Sequence, residues 1–197
     1  MRLMGVFGGT FDPIHNGHVA VVNECADRLG LERVMVIPAG RPPHRVPPVA
    51  SPEDRMAMVR LALDGSYRLV ASDIEVGREG PSYSVQTLRG LKVVFAEHLL
   101  VLLLGWDAAL EFGTWQDAGE IGDLAKVAVF NRAGSPPVTA AEIEKAGLPA
   151  GTWPVTVDSP PIKGADIRRR LRAGGDVSAD VPPSVLAYID ERGLYRD

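Results

Sequence analysis

Short apolar runs alternate with longer amphipathic stretches along the chain, and this alternation is its main structural signal. Leu3 to Phe7 and Arg33 to Pro38 read as strands, and the longest uninterrupted apolar run is Leu99 to Leu104. That run is far short of the roughly 20 residues a membrane-spanning helix needs. It suits a strand buried on both faces of a parallel sheet. Arg68 to Glu75, Lys126 to Phe130 and Pro154 to Val157 are further strand candidates. From about Gly17 to Leu29, apolar Val19, Val22, Ala26 and Leu29 recur at helical spacing, and Gly30 supplies a stop. Ser51-Pro52-Glu53-Asp54 is an N-cap, a proline at the first helical position and an acidic first turn, so a helix opens there. Ser84 to Leu91, Ala165 to Ala173 and Pro183 to Arg192 complete the helices, with Gly193 closing the last. Gly134, Pro136, Pro137, Pro149 and Gly151 mark Asn131 to Thr152 as a loop or small insertion.

Strands alternating with helices imply right-handed βαβ units and a parallel sheet. The expected fold is α/β: a Rossmann-like, doubly wound parallel sheet, one domain over residues 1–197 with a C-terminal helical part at about 163–197. In such a sheet, ligands bind beyond the carboxyl ends of the strands, near the point where strand order reverses.

Composition narrows the chemistry. A net charge of −4 argues against a general nucleic-acid binder, yet leaves room for a small phosphate-bearing substrate held by local groups. Met1-Arg2-Leu3-Met4 leads straight into the first strand, which predicts no signal peptide, and no membrane partner is expected. The single cysteine, Cys25, rules out an internal disulfide and a Cys-based zinc site; it fits a cytoplasmic location and reads as a packed, inert thiol.

The chemistry concentrates in Gly8-Gly9-Thr10-Phe11-Asp12-Pro13-Ile14-His15-Asn16-Gly17-His18, where the first strand meets the first helix. Glycines there let backbone approach a phosphate, Thr10 offers a hydroxyl, and the helix start presents free N–H groups. His15 and His18 can hydrogen-bond phosphate oxygens and, when protonated, stabilise developing charge. The turn lacks the G-x-G-x-x-G of dinucleotide binders and the G-K-[ST] of a P-loop, which argues against hydride and γ-phosphoryl transfer. His98 is expected to be an ordinary surface residue.

On these residues the chain resembles the nucleotidylyltransferase superfamily with its H-x-G-H motif, and more narrowly the bacterial nicotinate-nucleotide adenylyltransferases. Three further segments are similar to that family. Pro42-Pro43-His44-Arg45 resembles its P-P-H-K stretch, with arginine for lysine. Glu75, Arg78 and Gly80 to Leu88 resemble its E-x-x-R-x-G-P-S-Y-T-x-D-T-L segment, with Ser84 for threonine and Gln86 for the acid. Gly105-Trp106-Asp107 with Trp115 fits its G-x-D…W pattern. Ile162 to Arg168 departs most from its I-S-S-T-x-I-R motif, because Lys163, Gly164 and Ala165 replace three hydroxyl residues.

The resemblance implies transfer of the adenylyl group of ATP to nicotinate mononucleotide, by in-line attack on the α-phosphorus, with Mg²⁺ arriving with ATP and no dedicated protein metal site. It places Gly8, Gly9, Thr10, His18, Gly105, Asp107, Ile162, Lys163 and Arg168 around ATP. Phe11, His44, Tyr83, Ser84, Thr87 and Trp115 fall around the mononucleotide, and Thr10, His15, His18 and Arg45 in catalysis. Lys163 is expected to replace part of what the lost hydroxyls gave, so Lys163→Ala should raise KM for ATP. A related acceptor such as nicotinamide mononucleotide, or a nucleotide-binding protein without turnover, is the alternative. A monomer or small homo-oligomer is expected.

Overall fold

A computed structural model describes residues 2–43, 46–131 and 134–196. Among them, six strands form one parallel sheet: β1 (Arg2–Gly9), β2 (Arg33–Pro38), β3 (Leu69–Ala71), β4 (His98–Gly105), β5 (Lys126–Phe130) and β6 (Trp153–Val155). Their order is β3-β2-β1-β4-β5-β6, so the sheet winds outward in both directions from β1 and β4. Every pairing is parallel, and register carries Phe7 beside Val36 and Val6 beside Leu102. The switch point expected from the alternation therefore lies between β1 and β4.

Among the described residues, eight α-helices accompany the sheet: α1 (Asn16–Leu29), α2 (Pro52–Ala62), α3 (Ser84–Val94), α4 (Trp106–Leu110), α5 (Ala118–Leu124), α6 (Ala140–Lys145), α7 (Gly164–Arg172) and α8 (Pro183–Arg192). Side chains alternate between faces along each strand. Met4, Val6, Leu100, Leu102, Val127 and Val129 thus enter one core, with Leu88 of α3 and Ile121 of α5. Phe7, Val101, Leu103 and Ala128 enter the other, with Val22 of α1 and Val59 of α2. Ile167 and Leu171 of α7 and Val185 and Ile189 of α8 belong to that second core, so the C-terminal helices are packed on the sheet rather than appended to it.

Helices α4 and α5 are not among the elements expected from sequence, and three further elements differ from expectation. The strand expected over 68–75 shortens to Leu69–Ala71 because the chain turns at once: the Gly77 amide donates to Asp73 and the Arg78 amide to Glu75. Residues 131–152 hold α6, whose start is a capping box in which the Thr139 hydroxyl accepts from the Glu142 amide while the Glu142 carboxylate accepts from the Thr139 amide. The last strand begins at Trp153, in register with Ala128, and ends before Val157, whose amide donates instead to the Asn131 side chain.

Candidate active site at the carboxyl ends of β1 and β4

A cleft of about 970 Å³ opens at the switch point, lined by the β1 end and following turn (Phe7 to Pro13), His15, His18, the β4 end (Leu102 to Gly105) and the start of α7. Its size is within the range of sites that hold drug-sized or nucleotide ligands. β1 delivers Gly8, Gly9 and Thr10 to the rim, and nothing lies within 4 Å of where a Gly8 Cβ would sit.

His15 is the N-cap of α1. Its Nδ1 accepts from the His18 amide at 3.3 Å, and the His18 Nδ1 accepts from the His15 amide at 3.3 Å. The rings stack with centroids 3.6 Å apart, and Phe11 meets His18 edge-on at 5.1 Å. Gly17 makes this possible, since a Cβ there would lie 3.1 Å from His15 Nδ1 and 3.2 Å from the Pro160 carbonyl. Burial drives the His15 pKa down to about 4, against a raising influence from Asp180. Burial, then the neighbouring His15, drives His18 well below its ordinary value. Both are therefore neutral near pH 7, so of the two roles open to them from sequence, hydrogen bonding to phosphate oxygens is the one available to the unprotonated rings. Because each Nδ1 accepts a backbone N–H, each proton sits on Nε2. The pair thus presents two Nε2–H donors to the cleft, and an entering phosphate leaves those donors in place whether or not it reprotonates a ring.

The same burial makes folding pH-dependent. With a folded pKa near 4 against 6.5 unfolded, the unfolded state takes up a proton first as pH falls, so stability is lost between pH 6.5 and 4. His15 accounts for about 3 kcal/mol of that loss. Thermal midpoints measured from pH 7 to 4 should fall more steeply in the wild type than in His15→Asn; equal slopes would refute the assignment.

Beneath the turn, the Asp12 carboxylate accepts from the Val49 amide (2.9 Å), the Ala50 amide (3.1 Å) and the Tyr195 hydroxyl (2.8 Å). Fully buried Arg55 ties three carbonyls together: Thr10 (2.8 Å), Gly40 (3.0 Å) and Ala50 (3.3 Å). Asp12 belongs to the motif after β1, but the sequence assigns neither it nor Arg55 a role. Arg55 lies on an unremarkable helix face, although the capping signal at Ser51 located its helix. Arg168 reaches the turn from α7, where its Nη1 donates to the Asp12 carbonyl at 2.6 Å and lies 3.7 Å from the Asp12 carboxylate. Its Nε is buried without a hydrogen-bond partner among the described residues.

Tyr83, Ser84 and Trp115 line the opposite side of the cleft, the first two at the start of α3. Ser82 holds that start in place: its hydroxyl accepts from the Gly40 amide at 2.9 Å and donates to Glu75. Burial raises the Glu75 pKa, opposed by its bonds to Thr87 and Ser82.

Several expected ligand contacts lie elsewhere. Thr87 is buried off the cleft, its hydroxyl donating to Glu75 at 2.6 Å. Gln86, where the family has an acid, still accepts from Arg78 at 3.3 Å. Phe11 touches the cleft but is buried beneath His18, with backbone φ of 51°. Gly105 lines the main cleft, whereas Asp107 lines a smaller cavity with Trp106, Asn131 and Thr139. Ile162 is half-buried and packs on the α1-side core, and exposed Lys163 is the N-cap of α7 without a side-chain capping bond. Gly164 and Ala165 line the cleft. His44 and Arg45 lie outside the described residues. Cys25 is fully buried with its pKa pushed up to about 12, so it is no nucleophile near neutrality.

A family model of cytidylyltransferase-like proteins matches residues 6–170. Relatives named as probable nicotinate-nucleotide adenylyltransferases include one from Thermus thermophilus, 39% identical with all of both chains covered. Another, from Thermomicrobium roseum, is 38% identical over all of this chain and 92% of its own. Among solved structures, the Plasmodium falciparum nicotinic acid mononucleotide adenylyltransferase in complex with NaAD superposes with a TM-score of 0.82 at 16% identity, covering 99% of this chain and 98% of that one.

Proposed function

We propose, from the premise that the chain belongs to the cytidylyltransferase-like family and within it to the nicotinate-nucleotide adenylyltransferases, that this cleft transfers the adenylyl group of ATP to nicotinate mononucleotide. An oxygen of the mononucleotide phosphate bonds to the α-phosphorus of ATP. The bond from that phosphorus to the bridging oxygen breaks, and pyrophosphate leaves with the electron pair. The products are nicotinate adenine dinucleotide and pyrophosphate, a step of NAD biosynthesis. A phosphate monoester loses its second proton near pH 6, so the attacking group needs no general base at neutral pH.

The observation that carries this reading is the stacked pair His15 and His18, which line the cleft at the ends of β1 and β4 with each Nδ1 engaged by backbone and each Nε2–H left as a donor. Donors fixed before reaction suit the charge that builds on the α-phosphate oxygens. The Gly8-Gly9-Thr10 rim and the first turn of α7 bracket the same space. Tyr83 and Trp115 offer flat apolar surface for the pyridine ring.

A divalent cation is part of the reaction, and we take it to be Mg²⁺ entering with the ATP phosphates as part of that substrate. Among the described residues, no group of three or more His, Cys, Asp or Glu is placed to hold a metal ion. Likewise among the described residues, no helix is long and apolar enough to cross a membrane, and we place the protein's action in the cytoplasm, which a chain with a single cysteine suits. Pyrophosphate release, followed with nicotinate mononucleotide and then with its amide counterpart at equal concentration, tests the acceptor. Faster release with the acid is expected; preference for the amide would reassign it.

A further inference from the structure

Three carboxylates line the cleft, Asp12, Glu75 and Glu111, against two guanidinium groups, Arg168 and Arg172, among the described residues. Both histidines are neutral there. The charge of Arg168 is partly offset, since it lies 3.7 Å from the Asp12 carboxylate. Arg172 is different. It is exposed to the cleft and makes no ion pair or hydrogen bond among the described residues, while its neighbours Arg169 and Arg170 are paired with Asp166 and Asp180.

Helix geometry explains how Arg172 reaches the site. Gly164, Arg168 and Arg172 are spaced four apart, so they form one stripe along α7, and all three line the cleft. Side chains on a helix lean toward its N-terminus, which carries the Arg172 guanidinium back toward Arg168 and the open first turn. That first turn carries Gly164 and Ala165, which offer no hydroxyl. α7 packs on the core that holds Phe7 and Leu103, whereas Tyr83 and Trp115 pack on the opposite core. The cation therefore addresses the polyphosphate side of the cleft, away from the aromatic surfaces.

We propose that Arg172 is a binding residue for the β- and γ-phosphates of ATP, and hence for the leaving pyrophosphate, supplying from one helix turn further on the contacts that the first turn of α7 cannot make. The inference rests on the adenylyl-transfer reading and names a residue that this reading leaves unused. An uncompensated cation bound to a phosphate oxygen makes a charge-assisted hydrogen bond, and allowing for solvent exposure its removal should weaken binding about tenfold.

The test compares binding of ATP and of AMP, each with Mg²⁺, to the wild type, Arg172→Ala, Arg172→Lys and Arg169→Ala. Arg172→Ala is expected to weaken ATP about tenfold and leave AMP unchanged, with Arg172→Lys recovering part of the loss. Arg169→Ala, on the solvent side of the same helix, should match the wild type. Unchanged ATP affinity in Arg172→Ala, or equal weakening of ATP and AMP, would overturn the assignment. A wild type that binds ATP but releases no pyrophosphate with any acceptor would instead sink the adenylyl-transfer reading, so the two failures are distinct.

Discussion

Replacing His18 by alanine is expected to lower kcat about 10²–10³-fold, the usual cost of removing one preorganised donor at a site of developing charge. The structure makes His18 serve two purposes, and a second variant separates them. Its Nδ1 accepts the His15 amide and completes the cap of α1, while its Nε2–H is free to meet a phosphate. His18→Asn can keep an acceptor close to the position of Nδ1 but cannot reach the position of Nε2. It should be as slow as His18→Ala while retaining more thermal stability. His18→Gln, which places an N–H near Nε2, should recover part of the rate. An asparagine variant with wild-type turnover would remove the Nε2–H from the mechanism.

The largest effect on stability is expected at Asp12. Alanine there would leave the Val49 amide, the Ala50 amide and the Tyr195 hydroxyl without their acceptor in a site where Asp12 is only 8% exposed. Unsatisfied buried donors cost about 1–3 kcal/mol each, and some water will reach the rim, so a loss of about 3–5 kcal/mol follows. For a chain of this size, that lowers Tm by roughly 10 °C. Asp12→Asn retains one acceptor oxygen and should lose about half as much. Tyr195→Phe removes only the hydroxyl and should lose about 1 kcal/mol. Calorimetry of the three variants gives the order directly, and a Tyr195→Phe protein less stable than Asp12→Ala would contradict it.

These two residues also show what the sequence discloses and what it hides. The pattern of apolar runs locates β1, β2, β4 and β5 closely, because strands buried on both faces have little choice but to be continuous apolar segments. β3 was overestimated because Arg68 to Glu75 keeps an alternating pattern after the backbone has turned, and the inward residue that continues the pattern is a carboxylate, Glu75. α6 carried its own signal, Thr139 with Glu142, but the surrounding prolines and glycines masked it. The histidine pair could be placed at the head of α1, since residue type and position in the chain sufficed. Its charge state could not, because burial and mutual stacking set it. The contacts of Asp12, Arg55 and Tyr195 are invisible in the sequence because the Tyr195 hydroxyl reaches Asp12 across 183 positions, while Arg55 and Asp12 otherwise bind backbone groups that carry no residue signature. The role of Arg172 likewise depends on which of several adjacent arginines already have partners, and only the fold decides that.

The central claim is that the cleft breaks the bond between the α- and β-phosphates of ATP and joins the adenylyl group to the acceptor phosphate. The most direct measurement supplies ATP labelled at the α-phosphate, with Mg²⁺ and nicotinate mononucleotide, and follows the label. The account predicts that the label appears in nicotinate adenine dinucleotide, with one pyrophosphate released per dinucleotide formed, and that His18→Asn slows both together. Label recovered only in AMP or ADP, or an ATP pool left intact in the presence of both substrates, would contradict it.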